Sequence, residues 1–343
     1  MALDIRQMRY VVEVADRGNF SRAAERLGIA QSALSQQILK VERELGLDLF
    51  DRHPRGASVT SAGAAFVEDA QAAVSAFDEA VERADRRARG ETGQLKLGFI
   101  GGAAQWLTPL ILKRFQESYP KVDLRLRETT FMDPSGGLGS GDADVAFIRP
   151  PVETPGLWFE VLIERPRFFA VGVRHPLADR AEVSVAEILD EPIIAINGTD
   201  RTWERFWALD DFRDGRPARI AGRVETFEAE LQLVASGRGA SITCGAMPTT
   251  FVRPAGIVFL PIVDVPPSPV VVAYRVGEAG ALVRNFVQIA TDVRDRCRAL
   301  VRATGRGPLN DEMLTDSLAD RLRRGDLTLP QGPLRVPARR FES

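Results

Sequence analysis

The chain has little of what catalysis, metal binding or secretion usually requires. Its 343 residues include two cysteines and two histidines. Cys244 and Cys297 cannot build a disulfide framework or a four-cysteine zinc site. His53 lies in an Arg-rich turn and His175 precedes Pro176, so both read as surface residues, and their spacing suits no metal site. No nucleophile stands beside a base in sequence, so neither an enzyme nor a cofactor is expected. Apolar runs of about 18 residues are missing, which predicts no membrane span. Met1 to Tyr10 carries Asp4, Arg6 and Arg9 where a secretory signal would be apolar, which predicts a cytoplasmic protein. Charge of one sign is lacking too: the net value is −2, so any nucleic-acid site must be a local patch. What is present is a globular balance, 45% hydrophobic and 27% charged, in a chain long enough for two domains, one of them divisible again.

Ile5, Met8, Val11, Val12 and Val14 fall mostly three and four apart and predict a helix with one buried stripe. Gly18 and Asn19 end it, Ser21 is placed to cap a short helix reaching Leu27, and Gly28 supplies a turn. A third helix is expected from Ser32 to about Leu45, with Leu34, Ile38, Val41 and Leu45 inward. Its outward positions are Gln31, Ser32, Ser35, Gln36 and Leu39, followed by Lys40, and no acid occurs between Leu27 and Val41, so phosphate can approach without repulsion. Spacing alone fits a helix-turn-helix or an ordinary three-helix bundle equally. Gly46 to Thr60 then reads as two short extended pieces around a basic turn, a wing whose Arg52 and Arg55 would reach backbone phosphate or the minor groove.

After the wing, Thr60 or Ser61 caps a long helix to roughly Arg89. Phe66, Ala70, Ala73, Phe77, Ala80 and Ala84 repeat at four and three along it, a heptad seam widened by Val67, Val74 and Val81. Such a seam packs on its own domain or on a second copy. Beyond a polar break near Gly90–Gly93, strands alternate with helices: Leu95–Ile100, a helix over Pro109–Glu117, Val122–Arg127, Ala143–Ile148, Phe168–Val173, Pro192–Ile196, a helix over Phe227–Ala235, Ala240–Cys244, Val270–Tyr274 and a closing helix from Leu282 to about Leu300. That order implies a largely parallel sheet with binding loops at the carboxyl ends of its strands.

Phe20-Ser-Arg-Ala-Ala-Glu-Arg-Leu27, Gln31-Ser-Ala-Leu-Ser35-Gln-Gln-Ile38 and Leu45-Gly-Leu-Asp-Leu-Phe50-Asp-Arg52, in that order, resemble the N-terminal signature of the LysR-type regulators. Gly141-Asp-Ala-Asp144-Val-Ala-Phe-Ile148-Arg149 and Val234-Ala-Ser-Gly237-Arg-Gly239-Ala-Ser-Ile242 resemble later parts of the same family, so the likeness spans about residues 3 to 300. It implies an α+β multidomain protein: a winged helix-turn-helix over 1–60, a linker helix over 61–89 that pairs antiparallel with that of a second subunit, and a two-lobed α/β effector domain over 90–300, similar to periplasmic solute-binding proteins. Residues 301–343 exceed the usual family length; Leu314, Leu318 and Leu322 share one face of a possible short helix, and an interaction tail and a leftover segment stay open.

The family likeness places the effector between the lobes. Candidates at strand ends are Gly101, Gly102, Ala103 and Gln105, whose backbone N–H groups suit a carboxylate, then Thr129, Thr130, Arg149, Thr199, Asp200, Arg201 and Cys244. For the threonines helix capping is the alternative, and for Arg149 a surface ion pair. Many relatives carry serine or threonine where this chain has Gly101-Gly-Ala-Ala104, which leaves room for an apolar body beside Trp106 and Phe131, although a tryptophan such as Trp106 is more often core than ligand wall. The expected effector is an aromatic or other organic acid, and the expected partners are double-stranded DNA, a second copy as dimer or tetramer, and RNA polymerase, with no membrane.

Overall fold

The computed structural model describes residues 3–54, 56–100, 107–197, 200–244 and 256–303, with side chains described to 298. The chain divides into two compact units, Met1–Arg89 and Gly90–Ser343.

In the first unit, α1 (Ile5–Arg17) starts on a reciprocal capping box between Asp4 and Gln7 and ends at Gly18. The second helix, α2 (Phe20–Leu27), is capped by Asn19 and not by Ser21: the Asn19 side chain accepts from the N–H of Ser21 and Arg22 at 2.9 and 3.1 Å. The reason is geometric. Asn19 has the extended backbone a capping residue needs, whereas Ser21 already lies in the first turn. Helix α3 (Gln31–Leu45) follows, and Val11, Val14, Phe20, Ala23, Leu34, Ile38, Val41 and Leu49 close one core among the three helices. The wing is an antiparallel pair, β1 (Phe50–His53) and β2 (Gly56–Val59). Gly56 touches the end of α1 so closely that a Cβ there would lie 2.2 Å from the Gly18 carbonyl oxygen, so only glycine fits. Thr60 accepts from the Gly63 N–H at 2.8 Å and launches α4 (Ser61–Ala88).

The seam on α4 is divided. Ala70 and Val74 are buried, and Phe66 and Val67 pack on the core of the first three helices. Phe77 and Val81 are each 45% exposed within the unit, Ala73 is half-buried, and Ala80 and Ala84 are exposed. The amino-terminal half of the helix is therefore an element of its own domain, as one of the two sequence readings had it.

The second unit holds two main sheets. The first has the order β4-β3-β5-β12-β6. Its strands β3 (Gly93–Ile100), β4 (Val122–Thr129) and β5 (Val145–Ile148) are parallel, but β12 (Ser268–Arg275) runs antiparallel to both β5 and β6 (Leu157–Arg165). The sheet is thus mixed, not largely parallel, because the chain leaves and re-enters it along strands instead of through crossover helices. Helices α5 (Leu107–Ser118) and α9 (Ala281–Ala303) cover it, with Phe115 and Phe286 meeting edge to face at 5.1 Å. The second sheet has the order β10-β7-β11, where β7 is Arg167–Gly172, β10 Ser241–Cys244 and β11 Ile257–Pro261, all antiparallel. Beside it lie the parallel pair β8 (Ile193–Ile196) and β9 (Ile220–Val224) and the helices α6 (Val185–Ile188), α7 (Arg201–Trp207) and α8 (Phe227–Ala235). Only Pro166 separates β6 from β7, and residues 262–267 carry the chain back from β11 to β12.

Candidate nucleic-acid interface and effector cleft

On α3 the side chains of Gln31, Ser32, Gln36 and Lys40 are exposed together with Leu39, which is 45% exposed. The opposite face is held by Leu34, Ile38, Val41 and Glu42, so the polar row is fixed by packing and does not depend on its own contacts. Polar side chains on this row can meet base edges, and an exposed leucine can meet a thymine methyl. Ser35 is only half-exposed, because the Arg52 guanidinium donates to its Oγ at 2.6 Å. The same guanidinium lies 4.5 Å from the centre of the Phe20 ring and 3.9 Å from Glu42. Arg52 therefore ties β1 to α3, while its side chain stays 40% exposed. Arg55 lies outside the described residues. Sequence reasoning missed Glu42 and Gln37; Glu42 accepts from the N–H of Leu49 and Phe50, and Gln37 from Gln7 at 3.2 Å, so both anchor α3.

Of the cleft candidates, Gly101, Gly102, Ala103, Gln105 and Thr199 lie outside the described residues, as does Trp106. Thr129 directs its hydroxyl to the carbonyls of Phe99 and Asp133, both at 3.4 Å, and Thr130 accepts from the Met132 N–H at 3.3 Å, so both serve the turn after β4. Asp200 caps α7 through Trp203 N–H at 2.9 Å and accepts from the Glu153 N–H at 2.8 Å. Glu153 in return accepts from the Thr202 hydroxyl at 2.8 Å. Both Asp200 oxygens are thus spent on joining the segment after β5 to α7. Arg201 is exposed.

Arg149 is not a surface residue: it is 6% exposed, as is Arg165, which sequence reasoning missed. Burial holds the Arg165 guanidinium down to about 10, the Arg149 charge adds to this, and Cys244 opposes it. The ends of β5, β6 and β10 thereby bring two buried cations and a buried thiol together, with buried Ser268 opposite Arg165 in the strand register. Aromatic side chains form a second cluster. Phe131, after β4, has its ring centre 5.2 Å from Trp203 and 6.3 Å from Phe227, which belong to α7 and α8. Cations to hold a carboxylate and rings to hold an apolar body thus both occur where the two sheets of this unit adjoin.

Residues 5–64 match the family model described as the bacterial regulatory helix-turn-helix protein, lysR family, and residues 88–295 match the LysR substrate binding domain. The chain is 27% identical to the HTH-type transcriptional regulator AlsR of Bacillus subtilis, over 86% of this chain and 98% of that protein. It is 31% identical to the HTH-type transcriptional regulator TfdS of Cupriavidus pinatubonensis, over 73% of this chain and 86% of the other. Its fold is similar to that of full-length CbnR in complex with its target DNA, with a TM-score of 0.59 and 26% identity over 85% of this chain and all of that one.

Proposed function

Because the chain belongs to the LysR family, and so is a DNA-binding transcriptional regulator with an effector-binding domain and not an enzyme, we propose that it reads its operator with Gln31, Ser32, Ser35, Gln36 and Lys40 and answers to an aromatic or other organic acid held between its two sheets. The observation that supports this most is that one unit holds both the buried Arg149 and Arg165 and the Phe131, Trp203 and Phe227 ring cluster. A carboxylate needs the first set and a ring the second. In this reading Arg201 and Cys244 add contacts to the effector, and Asp200 acts through the fold.

Effector binding controls DNA only if the ligand prefers one arrangement of the protein over another. In this reading the exposed end of α4, with Phe77 and Ala80, joins two copies, Phe66, Ala70 and Ala73 support that face from the domain side, and the protein works in the cytoplasm as a dimer or tetramer that meets RNA polymerase. Phe77→Arg then abolishes self-association, and a variant that sediments like the wild type overturns the assignment.

The DNA reading is tested by mobility shift on the sequence just upstream of the protein's own gene, at stated salt, with Ser35→Ala and Gln36→Ala beside the wild type. Weaker specific retardation in both is expected, and equal retardation would remove these residues from the base-reading face. A panel of benzoates and other aromatic acids, followed by tryptophan fluorescence, tests the effector class; the class is wrong if none binds.

A further inference from the structure

Beneath α7 lies a cavity of about 30 Å³, lined by Ile194, Ile196, Trp203, Trp207, Glu230 and Ile242 among others. That is room for a water molecule and little more. Its polar lining is unbalanced. Trp203 is 3% exposed, and among the described residues neither its indole N–H nor that of Trp207 has an acceptor. Glu230, also 3% exposed, reaches the Ser241 hydroxyl at 2.5 Å and has oxygen lone pairs to spare. The residues that carry two buried, unpaired donors and one buried acid thus line the same small space, an incompletely satisfied set.

Few other charges bear on Glu230. On α7, Glu204 lines the same cavity and pairs with Arg223 of β9 at 3.4 Å. On α8 itself, Glu228 is exposed and bonded to Gln232. Of the strands packed on α8, β8, β10 and β11 carry no charged side chain, β9 carries Arg223, and β7 carries Arg167, whose guanidinium donates to the Pro266 and Phe206 carbonyls. A carboxylate at Glu230 thus has the Ser241 hydroxyl and the two indole N–H groups as its nearest means of stabilisation. Burial pushes the Glu230 carboxyl up to about 7, against the pull of the Ser241 hydrogen bond.

The cavity is also tied to the neighbouring sheet. Trp203 meets Phe131 in a tilted ring contact, and Phe131 meets Phe227 in the first turn of α8, three residues before Glu230. We propose that Glu230, Trp203 and Trp207 form a proton-operated latch on the effector site: loss of the Glu230 proton draws the indole N–H groups toward the carboxylate and weakens the contact of Trp203 with Phe131. The latch rests on reading the space around Phe131 as the effector site, but its chemistry needs no effector. Protonated Glu230 leaves α7 and α8 closed on Phe131; ionised Glu230 shifts α7 and frees that ring. Effector affinity then depends on pH through a residue that does not touch the effector.

The test is tryptophan emission of the full chain, with acrylamide quenching, from pH 5.5 to 8.5 without effector. All four tryptophans, Trp106, Trp158, Trp203 and Trp207, belong to the second unit, so the signal reports on that unit. A titration centred near pH 7, with greater quenching on the alkaline side, is expected in the wild type and is abolished by Glu230→Gln. Ser241→Ala removes the hydrogen bond that favours the ionised form, so it moves the midpoint upward, and it serves alone if Glu230→Gln does not fold by circular dichroism. A flat wild-type profile, a titration that survives Glu230→Gln, or an unmoved midpoint in Ser241→Ala overturns the latch. Failure of the aromatic acids to bind, with this titration intact, overturns the effector reading only.

Discussion

Glu42 in the first unit and Glu230 in the second are buried alike, 7% and 3% exposed, and the two regions use them in opposite ways. Glu42 sits where α3 meets the wing and accepts from the N–H of Leu49 and Phe50 at 2.9 and 3.2 Å, with Arg52 3.9 Å away. Its Oε1 takes both N–H groups, so Glu42 acts as a clamp that sets β1 against α3. Glu230 has a hydroxyl and a small cavity, so its charge is conditional. The buried acid of the first unit thus has two backbone donors and a cation, and that of the second has a single hydroxyl.

The largest effect that would break this comparison is in the clamp. Glu42→Ala leaves two buried N–H groups without an acceptor and should cost the first unit about 3 kcal/mol, with loss of specific DNA binding; calorimetry of the full chain, in which this unit's transition moves down, checks it. An unshifted transition would make Glu42 dispensable and the contrast empty.

Next is the pH dependence of the second unit. Glu230 binds its proton more tightly folded than unfolded, so its contribution is fully present below pH 4.5 and is lost as pH rises toward 7, after which stability is level. Each tenfold gain in proton affinity on folding is worth about 1.4 kcal/mol, which makes the loss roughly 3 kcal/mol. Urea unfolding followed by tryptophan emission should show that slope in the wild type and a flatter one in Glu230→Gln. Equal slopes would mean that Glu230 ionises as freely in the fold as outside it.

The smallest effect sharpens the picture of the wing. Arg52→Ala removes the contacts to Ser35 and Phe20 and should weaken DNA binding about tenfold, a loss of about 1.4 kcal/mol. Because that guanidinium donates to Ser35, the slope of log K against log salt should stay unchanged; a slope shallower by about one would mark a phosphate contact after all.

Legibility in the sequence differed between the regions for physical reasons. The first three helices and α4 announce themselves through three-and-four periodicity, since each buries a single stripe. In the second unit β6 escaped the reading because it is an edge strand: Trp158, Phe159 and Val161 are 50, 39 and 38% exposed, so no alternation of buried and open positions marks it. Helix α7, seven residues long, is too short to show a period, and Asp200, its cap, read instead as a ligand. Arg149 was visible as a strand-end cation, but its neighbour Arg165 comes from β6, and no local pattern predicts that meeting. Glu230, in the polar-looking run Phe227-Glu-Ala-Glu-Leu231, gives no sign of burial until α8 packs on β10.

The joint between the two sheets of the second unit has a mechanical meaning. The chain crosses it at Pro166 and again at Pro266 and Pro267, and Arg167, 3% exposed, donates to the Pro266 carbonyl at 2.9 Å, rivetting one crossing to the other. Proline rings lock a backbone torsion at each strap. Two proline-stiffened straps pinned side by side make the joint a single seam, so the two sheets are coupled along one line and not through two independent linkers.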